Sequence, residues 1–310
     1  KKSLLSICVL CIALGLTGCQ SGSKKTLPAR VAVEDAQALV RIVRARDKQP
    51  LTWGQFSGEI LLADIIVVGE MHDDEVGHAI ELAIVQDVFR HWPDAVLCLE
   101  MLERDEQPLV DDYKDGLIDS QTFQRETAST NWSGSGSFDV WYQPLIDAAH
   151  EQGGSVVAAN APRRYVKAAR KNGYNVLKSM PSPRRDMIAF PSGPADEAYY
   201  ERFAEVMGAH DETPTDPEII NEFFRAQRLW DETMAASVVA ASEQGAHKVI
   251  QIVGQFHSDF DGGLVDAIEV RAPDAELIVI SLQPLPHVSL QEEDIGRADY
   301  IIYTAPAIED

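Results

Sequence analysis

Apolar positions along this chain alternate between short continuous runs and longer stretches of helical period. The runs at 65–68, 95–99, 155–159, 248–253 and 277–281 have strand length and no internal alternation, so they predict strands buried on both faces. Between them the period lengthens. Val76, Ile80, Ala83, Ile84 and Val88 share one side of a helix predicted over 76–91, and Trp141, Leu145 and Ala148 share a face of another that ends at Gly153-Gly154. Thr52 followed by Gln55 is a capping-box pattern, and Phe56, Ile60 and Leu61 supply the face of its helix. Asp216-Pro217-Glu218 places an N-cap acid and a proline at the start of a long helix that ends near Gly245. A short helix is predicted over 264–270, and Tyr300-Ile301-Ile302-Tyr303 is a candidate for one more strand. Strands that alternate with helices predict an α/β fold, a mostly parallel sheet flanked by helices.

Two segments break the alternation. Residues 133–137, Ser-Gly-Ser-Gly-Ser, form a flexible loop. Residues 163–216 hold Pro181, Pro183, Pro191 and Pro194 and an acidic turn. With the long helix this gives an inserted helical subdomain over about 163–245.

Chemistry gathers where the strands end. Glu70 and His72 follow the first strand, Glu100 the second, Asn160 and Arg163 the third, and His257 the fourth. Parallel strands present their carboxyl ends on one side of a sheet, so these six residues are expected to share one cleft. Gln227 and Asp231 lie four apart on the long helix and share a face. That face is either a solvated polar stripe or a cap over the cleft. Glu70, His72, Glu100, Asp231 and His257 form a donor set for a divalent metal such as Zn²⁺ or Mn²⁺, which could activate water for hydrolysis. His72 and His78, six apart, do not share a helical face and carry no metal motif. The same cleft could instead take a carboxylate-bearing ligand through Arg163, Arg164 or Arg225.

The N-terminus has the pattern of a targeting segment. Lys1-Lys2 precede an apolar run over 4–16, too short to span a bilayer as a mature helix. Leu16-Thr17-Gly18-Cys19 resembles a bacterial lipobox, so residues 1–18 are expected to be a lipoprotein signal peptide and Cys19 the lipidated residue. Gln20, rather than Asp, suggests sorting to the outer membrane, facing the periplasm. Residues 19–50 then serve as lipid-anchored N-terminus and tether, and 51–310 as the α/β domain. The 310 residues carry a formal charge of −22, which argues against nucleic acid as a partner. Cys8 and Cys11 leave with the leader, so Cys98 stands alone and no disulfide forms.

Five short motifs, in order, resemble the ChaN-like haem-binding lipoproteins. They are Val68-Gly69-Glu70-Met71-His72-Asp73; Glu100-Met101 with Arg104, Asp105 and Gln107; Asn160 to Arg163; 226–231 with Met234-Ala235; and Gly254 with His257. The resemblance covers about residues 50–290. It implies an α/β core with a helical subdomain, in a periplasm-facing lipoprotein of haem or iron uptake. It also implies haem held at a subunit interface of a homodimer, a tyrosine as iron ligand, and transfer to a haem receptor or transporter. Tyr142, Tyr199 and Tyr200 are the candidate ligands, with Arg163 and Gln227 nearby in the reading. The family's wider superfamily resembles erythromycin-esterase and Tiki-type metal-dependent hydrolases, peptidase or esterase in type. Glu70, His72, Glu100 and His257 match that hydrolase set, which is the alternative function.

Overall fold

The computed structural model describes residues 29–127, 136–208 and 216–306. Within them lie eight strands: β1 (Arg41–Arg44), β2 (Gln49–Leu51), β3 (Ile65–Glu70), β4 (Val96–Glu103), β5 (Ser155–Asn160), β6 (Val249–Gly254), β7 (Leu277–Gln283) and β8 (Tyr300–Tyr303). They form one sheet in the order β2-β1-β8-β7-β3-β6-β4-β5. From β8 to β5 every neighbour is parallel, and only β1 runs the other way, antiparallel to β8 on one side and to β2 on the other. The fold is α/β, a mostly parallel sheet with helices on both faces, as the pattern predicts. β3 lies between β7 and β6, and every residue from Ile65 to Glu70 is buried. Ile66, Val68 and Ile80 face one hydrophobic layer with helices Glu75–His91 and Gln143–Glu151. Ile65 and Val67 face the other, with Met234, Val238, Leu264 and Ile268.

Three features depart from the sequence reading. Part of the expected tether is folded: helix Val33–Leu39, β1 and β2 precede residue 52, and β1 extends the sheet along β8. β1 is four residues, Arg-Ile-Val-Arg, and two buried apolar residues between arginines are too short a run to signal a strand. β4 continues past Glu100 to Glu103, with a register shift against β5 between Leu99 and Glu103, so Glu100 sits at an irregularity rather than at a strand end. The long helix Pro217–Glu243 also serves two layers. Its first half packs Phe223 and Phe224 on helix Glu197–Gly208, and Ala226 and Leu229 on helix Arg163–Asn172. Its second half lays Met234, Ala235 and Val238 on the sheet. A helix of 27 residues is about 40 Å long, enough to reach both. Residues 1–28, which contain Cys19, and His210 and most of the 133–137 loop lie outside the described residues.

The turn after β6 passes close over the end of β3. A Cβ at Gly69 would overlap Ser258 Oγ and lie 3.1 Å from Gln255 Cα. Backbone cannot yield as a long side chain can, so Gly69→Ala is expected to lower stability by about 1–3 kcal/mol. Urea unfolding with an unchanged m-value tests this; a variant as stable as the parent would show that the turn has room to move.

Candidate functional site

The carboxyl ends of β3, β6, β4 and β5 meet at one edge, and most of the expected residues meet there too. They form a packed polar cluster rather than an open cleft. Glu70 ends β3 and is 2% exposed; His72 follows and keeps 14% of its side chain exposed. His72 Nδ1–H donates to Glu70 Oε1 at 2.5 Å. His72 Nε2 turns toward Gly254, where a Cβ would come within 3.1 Å of it and within 3.5 Å of Glu100 Oε2. A glycine at 254 therefore leaves room for the imidazole beside the next acid.

Glu100 is held from two sides. Gly254 N–H donates to its Oε2 at 2.6 Å, and His257 Nε2 lies 3.4 Å from its Oε1. Asn160, at the end of β5, donates its amide to the Glu100 carbonyl at 2.9 Å and accepts from Ala161 N–H, tying β5 to β4 at the irregularity. His257 lies in a 3₁₀ turn that follows β6 and donates through Nδ1 to Asp231 Oδ1 at 2.5 Å. Tyr199 O–H donates to Asp231 Oδ2 at 2.9 Å, and the Gln227 amide donates to the Tyr199 oxygen at 3.1 Å. The polar face of the long helix thus caps the cluster, which decides between the two readings of Gln227 and Asp231.

Other residues complete the other end. His78 and Glu81, on helix Glu75–His91, are 3% and 0% exposed. His78 Nδ1 lies 2.9 Å from Glu81 Oε2 and 3.4 Å from Glu70 Oε2. A π-helical turn, Phe138–Tyr142, brings two aromatics inward together: Trp141 stacks on the His78 ring at 4.4 Å, and Tyr142 O–H donates to Glu70 Oε1 at 2.6 Å. The spacing of His72 and His78 in the sequence does not mark His78 as a ligand, and no motif marks Glu81. The signal available was an acid three residues after an imidazole, Glu81 lying between Ile80 and Leu82 on a helix with a strong apolar stripe.

Burial and pairing set the protonation pattern. Burial alone would raise the Glu70 carboxyl, but the electrostatic pull of the neighbouring His78 and His72 imidazoles and the His72 hydrogen bond outweigh it and hold Glu70 below the usual range. Burial likewise opposes ionisation of Glu100, and His257 overcomes it. Glu81 is pushed well up, by burial and by the charge of Glu70. Asp231 is raised by burial, against the pull of His257. Burial disfavours charge on all three imidazoles. It prevails at His78, which is lowered, whereas His72 is raised by Glu70 and Glu100, and His257 is pushed up to about 10 by Glu100 and Asp231.

The remaining candidates lie apart. Arg163 pairs with Glu103, Nε to Oε1 at 3.4 Å, and Arg164 with Asp105 at 2.5 Å; Arg225 donates to the carbonyl of Arg170. Tyr200 O–H donates to Asn221 Oδ1 at 2.8 Å on an exposed face. The five residues of the expected metal set lie in this one cluster: Glu70 with His72, whose Nε2 faces the Glu100 side of Gly254, and Glu100 and Asp231 with His257. Among the described residues the group whose donor atoms converge most closely on one point is instead Glu70, His78 and Glu81.

The His257 pairing predicts a pH dependence. An imidazole held near 10 in the folded chain and at its ordinary value when unfolded binds an extra proton only in the fold between those limits. Its contribution is complete below about pH 6.5 and is lost as pH rises through about 10, with a limiting slope of about 1.4 kcal/mol per pH unit. Unfolding free energies at pH 7, 8 and 9 should fall for the parent, and His257→Gln should lose that slope. Parallel pH profiles for the two would contradict the assignment.

The profile of the family described as "Haem-binding uptake, Tiki superfamily, ChaN" matches residues 57–268. Among solved structures, the chain is similar to one described as "Cofacial heme binding to ChaN of Campylobacter jejuni", with 17% identity and a TM-score of 0.64, over 86% of this chain and 96% of that one. This likeness shows a shared fold. A mutant of the erythromycin esterase EreC in its open conformation aligns with 15% identity and a TM-score of 0.42, over 87% of this chain and 84% of that one. The type III effector HopBA1 aligns with 12% identity and a TM-score of 0.44, over 81% and 92% respectively. No match is found among curated proteins.

Proposed function

The chain belongs to the ChaN family of haem-binding uptake proteins in the Tiki superfamily, and on that basis we propose that it binds haem and acts in haem or iron uptake. The profile match over 57–268 carries this reading. In the cell it works as an outer-membrane lipoprotein facing the periplasm, anchored through Cys19. It pairs into a homodimer around haem, and a haem receptor or transporter is its partner. The support for anchoring is the leader and the Leu16-Thr17-Gly18-Cys19 pattern in the sequence.

The tyrosines differ in what they offer an iron. Tyr142 and Tyr199 are fully buried, and their phenols donate to Glu70 and Asp231. Neither presents an oxygen to a ligand as large as a porphyrin. Tyr200 sits on the outer face of helix Glu197–Gly208, edge-on to Phe224 at 5.0 Å, over a cluster that contains Phe203, Phe223 and Ile220. Ile219, two residues before Asn221 on the long helix, is exposed. Arg170 lies over the Phe223 ring at 4.2 Å and brings a cation to the edge of that cluster. A phenol on an apolar surface with a nearby cation suits the iron, the macrocycle and a propionate in turn. When bound, haem would supply an Fe(III) centre for the Tyr200 oxygen; the chain supplies the apolar support. A hydrolytic reading draws nothing from the strand-end cluster, whose acids and imidazoles are turned on one another.

Haemin titration of the purified chain should give a saturable Soret shift of defined stoichiometry. Tyr200→Phe should weaken binding and remove the phenolate-to-iron charge-transfer band, whereas Tyr142→Phe and Tyr199→Phe should leave that band in place. A parent chain with no saturable shift would refute haem binding. An unaltered band in Tyr200→Phe would refute the ligand assignment alone.

A further inference from the structure

Three donor atoms meet beneath the start of helix Glu75–His91. They belong to Glu70 at the end of β3, and to His78 and Glu81 on that helix; all three residues are buried, with exposures of 2%, 3% and 0%. Their donor atoms lie within 4.8 Å of one another.

The hydrogen bonds around the three residues point their lone pairs inward. His78 Nε2 lies 3.3 Å from the His72 carbonyl oxygen. A carbonyl only accepts, so Nε2 carries the hydrogen and Nδ1 is the bare nitrogen. That bare nitrogen faces Glu81 Oε2 at 2.9 Å and Glu70 Oε2 at 3.4 Å. Glu70 spends its other oxygen, Oε1, on the Tyr142 phenol at 2.6 Å and on His72 Nδ1 at 2.5 Å. Glu70 Oε2 and Glu81 Oε1 are buried and have no hydrogen-bond partner. Two carboxyl groups and an imidazole nitrogen thus converge around one proton, which Glu81 holds, and a cation that displaces that proton could take all three as ligands.

We propose that Glu70, His78 and Glu81 form a buried site for one divalent first-row cation of the Zn²⁺ or Mn²⁺ class. One imidazole nitrogen and two carboxylate oxygens suit such ions, and a charge of +2 offsets both carboxylates. The supporting contacts are those a ligand set needs. The His72 carbonyl fixes the His78 tautomer, Trp141 stacks on the ring at 4.4 Å and 19°, and Tyr142 orients Glu70. The site is distinct from the Glu100–His257–Asp231 group and from the surface around Tyr200, and it does not rest on haem binding.

The test is metal loading of the intact chain in haem-free buffer. Chelator-treated protein is titrated with Zn²⁺ and, separately, with Mn²⁺, and bound metal is counted by elemental analysis. One tightly held equivalent per chain is expected. Glu81→Gln keeps the size of the side chain, and it should weaken binding by more than the roughly 10- to 100-fold that loss of a supporting partner costs. His257→Gln should retain the full equivalent. In case Glu81→Gln disturbs the fold, pulsed electron paramagnetic resonance of the Mn²⁺-loaded parent provides an independent readout and should detect coupling to a single imidazole nitrogen. The proposal falls if the parent binds no stoichiometric metal or shows couplings from two imidazoles. It also falls if a folded Glu81→Gln binds like the parent, or if His257→Gln loses the metal.

Discussion

The structure depends on acids and imidazoles that are tolerable in the interior only in each other's company. Glu70, Glu100 and Asp231 are 2%, 5% and 1% exposed, and an isolated carboxylate at such depth costs several kcal/mol. Each is met by an imidazole at hydrogen-bond or ion-pair distance: His72 on Glu70, and His257 on both Glu100 and Asp231. The pairings need β3, β6 and β4 side by side, since Glu70, the turn with His257, and Glu100 belong to those three strands in turn. They also need the long helix across the edge, since Asp231 comes from it. Strand order, helix docking and local chemistry therefore constrain one another. Removing a single partner leaves a buried charge uncompensated, a larger loss than any one contact is worth.

The sheet and one half of this network were legible in the sequence, because they follow from period and direction. Continuous apolar runs identified β3 to β7, and parallel strands place their carboxyl ends together, so Glu70, His72, Glu100, Asn160 and His257 could be gathered without coordinates. The other half was not legible, because it depends on how helices turn in space. His78 and Glu81 reach Glu70 only through the pitch of helix Glu75–His91, and Trp141 and Tyr142 only through a π-helical turn that alters the helical phase. The irregularity in β4 was hidden for a related reason: Glu100 looks like a strand end, yet pairing resumes at Glu103. β1 escaped notice because two buried residues between arginines carry too little pattern, although they extend the sheet along β8.

The three candidate tyrosines show why residue type alone does not assign a role. All precede or follow apolar helical positions, and all could ligate iron through a phenolate. Tyr142 and Tyr199 point into the sheet edge, where a buried carboxyl oxygen needs a donor, and each phenol supplies one. Tyr200 follows Tyr199 by one position, about 100° around the same helix, and so faces outward to Asn221. One helix thus serves the polar cluster with one face and carries an aromatic surface on the next. The long helix does the same: Asp231 lies on the cluster, while Phe223 and Phe224, two turns earlier, lie under Tyr200.

The protonation pattern explains how four acids and three imidazoles share one region without a large net charge. Glu70 and Glu100 are shifted toward their ionised forms; His72 and His257 are shifted toward their protonated forms. Those four groups balance. The surplus acids, Glu81 and Asp231, are shifted upward by burial, toward their neutral forms, and the third imidazole, His78, is shifted downward toward its neutral form. The same burial acts on all seven, and its outcome at each is decided by how many opposite charges lie within reach. His257 is raised by two acids, Glu100 and Asp231; at His78 the pull of Glu70 and Asp74 is too weak to offset burial, and the imidazole is shifted down. The formal charge of −22 counts these four acids as charged and the three imidazoles as neutral, so the shifts in protonation lower the charge that the cluster itself contributes.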